Sequence, residues 1–115
     1  MSTFVTKQAM QVSGITRESL QSLQGHDLDM SIGIRWKQIG REYTVEGCAK
    51  LLLIHEAMST FGIAAKVAGK HLLHAEGLTQ VTTPTGVTIT YDIPKATEEV
   101  RRRAASLGFY QEAAE

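Results

Sequence analysis

Four side chains in one short stretch, Thr16, Arg17, Ser19 and Gln21, carry the hydrogen-bonding groups that can read base edges. Arg can bond guanine in bidentate fashion and Gln can bond adenine likewise, each good pair being worth roughly 1–3 kcal/mol of discrimination. A second stretch, Gly33-Ile34-Arg35-Trp36-Lys37-Gln38-Ile39-Gly40-Arg41-Glu42-Tyr43, holds Arg35, Lys37 and Arg41 with no acid between them. Cations so grouped meet phosphates or the minor groove and supply affinity with little sequence information. Lys7 is a further candidate for a phosphate contact. The expected ligand is double-stranded DNA, contacted by Thr16, Arg17, Ser19, Gln21, Arg35, Lys37, Arg41 and Tyr43. The competing reading of the three cations is a solvated face, and that of Trp36 is core or hinge packing.

Whole-chain charge does not carry this expectation. Lys and Arg number 12, Asp and Glu number 12, and the net charge is zero at pH 7. The distribution is uneven: residues 1–75 hold eight basic and six acidic side chains, residues 76–115 four and six. At 115 residues and 43% apolar, the chain suits one domain with a modest core. A lone cysteine, Cys48, permits no intrachain disulfide, and the cytoplasm is the default expectation. The longest apolar run, Leu51 to Ile54, is far too short to span a bilayer, so no membrane partner is expected.

The candidate side chains need elements to position them. Val5, Ala9 and Val12 fall on one stripe of a short helix over residues 6–12, which Ser13-Gly14 ends. Thr16 can cap a second helix that buries Leu20 and Leu23 and turns Arg17, Glu18, Gln21 and Gln24 outward. A turn of about three residues forces the two helices to cross steeply. Ile32, Ile34 and Trp36 alternate with Arg35 and Lys37, the period of a half-buried strand, and Gly40 allows the bend into residues 41–43. Thr44 then caps a helix running to about Phe61, with Glu46 in its first turn and Gly62 as its stop. Residues 63–75 form a fourth helix, in which Gly69 is a weak point or a close packing contact.

Helix, tight turn, helix, basic hairpin, helix is the order of a winged helix-turn-helix. Gly14-Ile15-Thr16-Arg17-Glu18-Ser19-Leu20, followed by Gly40-Arg41-Glu42-Tyr43-Thr44-Val45-Glu46 and by Phe61-Gly62-Ile63, resembles the DNA-binding head of the mercury-resistance regulator (MerR) family over about residues 4–73. The resemblance implies a recognition helix in the major groove and a basic wing on the backbone. Two departures stand out. Gln21-Ser22 replaces the family's aromatic pair, and nothing matches its long dimerisation helix or effector module. Small phage excisionases and mobile-element regulators share this head and fit the length.

Beyond residue 75 the pattern changes. Val87, Ile89, Tyr91 and Ile93 share one strand face, Thr83-Pro84-Thr85-Gly86 suits a hairpin turn, and Pro94 opens a helix with the stripe Ala96, Val100, Ala104 and Leu107. The tail from Phe109 to Glu115 is expected to fray. Residues 1–75 are thus expected to be the DNA-binding head and residues 76–115 an extension of the same domain for self-association, through the Val87, Ile89, Tyr91 edge or the Val100 stripe. Arg101-Arg102-Arg103 point about 100° apart on a helix and have Glu98 and Glu99 within reach, so intrahelical pairing is expected.

Catalytic chemistry finds little support. His71 with His74, and Cys48 with His55, lack a third metal ligand set by spacing, although Cys48 near a helix start could have a lowered pKa. There is no glycine-rich phosphate loop, no Gly-x-Ser-x-Gly and no paired-carboxylate pattern. The expectation is a non-enzymatic α+β protein, a winged helix-turn-helix followed by a β-hairpin and short helix, with no cofactor and no metal. It would act as a homodimeric, sequence-specific transcription regulator, with RNA polymerase or another regulator as a further partner. The alternatives are an excisionase-like DNA-bending factor and a protein-interaction module such as an antirepressor or sigma-factor binder.

Overall fold

The computed structural model describes residues 3–34 and 41–109. The chain is a mixed α+β fold of helices around two small antiparallel sheets. In chain order these are β1 (Thr3–Val5), α1 (Thr6–Ser13), α2 (Arg17–Gln24), β2 (Ser31–Ile34), β3 (Arg41–Thr44), α3 (Val45–Phe61), α4 (Ala65–Leu72), β4 (Leu78–Thr82), β5 (Thr88–Asp92) and α5 (Ile93–Ser106).

Most of the core gathers on α3. It buries Val45, Cys48, Ala49, Leu51, Leu52, Ile54 and Ala57, residues spread over most of its circumference, because α1, α4 and α5 all pack on it. Each fully buried Val, Leu or Ile contributes roughly 1.5–3 kcal/mol, so this helix anchors the others. Thr44 starts it by accepting a bond from the Gly47 amide at 2.9 Å, and Gly62 ends it in the left-handed region, φ 70°. Two glycines permit close approach. A Cβ on Gly47 would lie 2.8 Å from the Met30 carbonyl oxygen, and one on Gly69 would lie 2.9 Å from Leu23 Cδ2 and 3.2 Å from Leu28 Cβ. Gly69 is therefore the packing contact through which α4 meets α2.

The first sheet has the order β1-β3-β2, with Phe4 opposite Tyr43 and Ile34 opposite Arg41. Strand β1 was not expected from the residue pattern. Between Ser31↔Tyr43 and Gly33↔Glu42 the register slips by one residue, so Ile32 is a bulge residue. This corrects the expected half-buried alternation at its first position, since Ile32 is 59% exposed. Arg35, Trp36, Lys37, Gln38, Ile39 and Gly40 lie outside the described residues.

In the second sheet β4 pairs with β5 from Leu78↔Asp92 to Thr82↔Thr88, closed by the expected Thr83–Gly86 turn with Gly86 at φ 94°. Asp92 caps α5, accepting from the Lys95 amide at 3.0 Å. Ala96, Val100 and Ala104 are buried within the chain, so the Val100 stripe offers no surface to a second copy. Leu107 departs from the expected stripe: it caps the helix and is 48% exposed. Phe109, expected to fray, is instead half-buried, its amide bonded to the Ala104 carbonyl at 2.9 Å.

Candidate functional site

The turn between α1 and α2 is built by three residues. Ser13 donates its hydroxyl back to the Ala9 carbonyl at 2.7 Å and accepts from the Ile15 amide at 3.2 Å. Gly14 takes φ 78°, a conformation that costs a residue with a side chain of order 1 kcal/mol, and closes α1 by donating its amide to the Met10 carbonyl. Thr16 then accepts from the Ser19 amide at 3.2 Å and donates to the Ser19 hydroxyl at 3.0 Å. The two expected base-contacting hydroxyls thus form the helix start.

Leu20 and Leu23 point inward from α2, as their spacing required, and leave Arg17, Glu18, Gln21 and Ser22 exposed. Arg17 and Gln21, one turn apart, share a face and can reach one surface together. Arg17 forms no ion pair with a described acid.

Tyr43 occupies a different place from the one expected. It has no exposed surface, packs in the core opposite Phe4, and cannot touch DNA directly. Its hydroxyl donates to Asp29 Oδ2 at 3.1 Å and accepts from Gln24 Nε2 at 3.3 Å. Asp29 is itself buried, 3% exposed, and also receives Arg41 Nη1 at 3.4 Å and the Ser31 hydroxyl at 3.3 Å. Burial above all, with the neighbouring Asp29 charge, pushes the Tyr43 phenol upward from 10.0. The network ties the last turn of α2 to the base of the β2–β3 pair. Ile34 and Arg41, the described residues on either side of residues 35–40, are paired there.

No protein-family model and no curated protein matches this chain.

Asp29, at the centre of this network, is the residue of the candidate site that the sequence pattern did not single out. The signal was faint: an acid in a polar loop, three residues from a strand of basic character, reads as solvated. Arg41 is one-third exposed at its side chain and paired, which leaves it part of the site and part of the scaffold.

The remaining candidates fall elsewhere. Burial pushes the Cys48 thiol up to about 12, correcting the idea of a lowered value at the helix start, so the free side chain is held as the neutral thiol at neutral pH. His71 Nδ1 lies 2.9 Å from the Tyr91 hydroxyl, joining α4 to β5. Among the described residues no three His, Cys, Asp or Glu side chains converge as a metal site, and no helix is long and apolar enough to cross a membrane. Arg102 and Arg103 pair with Glu99 at 2.6 and 2.8 Å, and Arg103 also donates to the Val12 carbonyl at 3.1 Å. This run is thus partly engaged in fixing α5 to α1.

Proposed function

We propose that the protein is a sequence-specific double-stranded DNA-binding regulator of winged helix-turn-helix type, similar in its head to the MerR family. In this reading α2 enters the major groove and residues 35–40 form the wing. The observation that carries it is the coupling of two surfaces through one buried network: exposed Arg17 and Gln21 on α2, and the hairpin base, joined by Gln24, Tyr43, Asp29 and Arg41. Base reading by a helix is productive only when its depth and tilt in the groove are fixed by backbone contacts. A hydrogen-bonded link between α2 and the β2–β3 base would supply that fixing. Arg17 and Gln21 would read base edges, while Arg35, Lys37, Arg41 and Lys7 would hold phosphates.

Two copies acting on one site would suit so small a head, because linked heads bind with an affinity neither reaches alone. The test is duplex binding across a salt series, followed by selection from random duplexes. The reading requires affinity that falls as salt rises, through counterion release, and a selected sequence with a preferred core. Binding absent at low salt, or indifferent to salt, overturns it in favour of a protein-interaction module. Selection of a palindrome supports pairing of copies, and selection of a single unrepeated core removes it.

A further inference from the structure

A cleft of about 360 Å³ opens at the start of α3, between the hairpin base and the segment that follows α4. Its size falls in the range of small-ligand sites. Lys50 lines it, one and a half turns into α3 and 9% exposed. Burying an ammonium is costly unless its three donors are used. Here one donor reaches the Leu73 carbonyl at 3.4 Å, beyond the usual length, and Lys50 forms no ion pair with a described acid.

Other donors face the same cleft. The Thr44 oxygen accepts from the Gly47 amide, which leaves its O–H free to donate, and Glu46, which also lines the cleft, has an amide that precedes the first intrahelical bonds of α3. The inner end therefore suits an anionic group. Glu46, His74 and Glu76, all exposed, also line the cleft, and the two carboxylates set a negative character against that of Lys50. A multiply charged anion would set its remaining charge against these carboxylates, and a simple cation would meet Lys50. A molecule carrying both signs satisfies both ends.

We propose that this cleft binds a small zwitterion of the α-amino-acid type, with its carboxylate on Lys50 and Thr44 and its ammonium group on Glu46 and Glu76. The assignment is independent of any DNA partner. It is tested on the full chain, labelled with nitrogen-15, by titrating the standard α-amino acids singly, each alongside its des-amino acid and its decarboxylated amine. At least one amino acid should give saturable shifts at the amides of Gly47, Lys50 and Glu76, with both control compounds weaker. Lys50→Met should lower that affinity about tenfold or more, since a charge-assisted hydrogen bond is lost.

The absence of saturable shifts with every amino acid overturns the proposal. So does a des-amino acid that binds as tightly as its parent, or an affinity unchanged in Lys50→Met. Glu76→Gln, at an exposed position, keeps the test open should Lys50→Met fail to fold. There the amino acid should lose affinity while its des-amino counterpart does not, and equal behaviour of the two rejects the zwitterion.

Discussion

Tyr43 and Asp29, both shut off from solvent, share a hydrogen bond of 3.1 Å that joins β3 to the loop following α2. A carboxylate in this position is held by what surrounds it: Tyr43, Arg41 and Ser31 all donate to it. Removing one donor leaves a buried acceptor short of a partner, which costs about 1–3 kcal/mol. Tyr43→Phe should therefore lower unfolding stability by that amount in urea titration at neutral pH. A loss near zero would show that the network is not maintained in solution.

The same phenol predicts a pH dependence. Its folded pKa lies above the usual 10.0, so between the two values the unfolded chain has lost a proton that the native state still holds. Stability from this source is complete below pH 10.0 and is lost as pH rises through the folded value. Tyr91 is displaced in the same direction by burial and adds to the slope. Denaturation followed from pH 9 upward should show the decline, and Tyr43→Phe should make it shallower.

At the acid end the responsible group is Glu99. Hydrogen bonds from Arg102, then Arg103, hold its carboxyl down to about 2 from the usual 4.5. Its contribution is therefore complete above pH 4.5 and is lost as pH falls toward 2. Glu99→Gln should flatten the stability profile across that window, falling below the parent at pH 7 by the whole of this contribution, which solvent exposure keeps small, and converging with it near pH 2. Parallel acid profiles for the two proteins would mean that the pairs do not persist in solution.

Gly47→Ala sets helix propensity against space. Alanine favours a helix interior by about 1 kcal/mol over glycine. At this position, however, the new methyl would stand 2.8 Å from the Met30 carbonyl, a backbone atom held where Met30 itself has a left-handed φ of 66°. Crowding should win, with a net loss of about 1–3 kcal/mol. Gly69→Ala meets the flexible end of Leu23 first, and should cost less. Thermal melts of the two variants, compared directly, check the order.

Much of the frame could be read from local chemistry. The Thr16 and Thr44 caps, the Gly14 and Gly62 stops and the Thr83–Gly86 turn all depend on residues near one another in sequence, and each sits where its side chain or φ requires. Long-range partners were not legible. Tyr43 looked like part of a basic, DNA-facing segment because its neighbours are polar, yet the period of two turns it to the core beside Phe4, thirty-nine residues away in the chain. Ile32 failed for a related reason: a bulge shifts the alternation by one and sends an apolar side chain outward. Asp29 could be understood only once Tyr43, Gln24 and Arg41 were seen to converge on it.

The division of labour proposed for Arg17 and Arg41 separates these two levels in one experiment. Arg17 is exposed on α2 with no acid in the described structure to hold it, so Arg17→Ala should leave folding stability within about 0.5 kcal/mol of the parent. In the DNA-binding reading it should nonetheless change which duplex is preferred, with a loss of about 1–3 kcal/mol at the base pair it contacts. Arg41 sits at the other end of the network, one-third exposed and 3.4 Å from Asp29. Arg41→Ala should weaken binding to every sequence alike and lower the salt dependence by about one counterion. Because it also strips a donor from a buried carboxylate, it should lower stability where Arg17→Ala does not. Binding and unfolding measured on the same two variants distinguish the roles: if Arg17→Ala alters neither affinity nor preference, α2 is not the reading element.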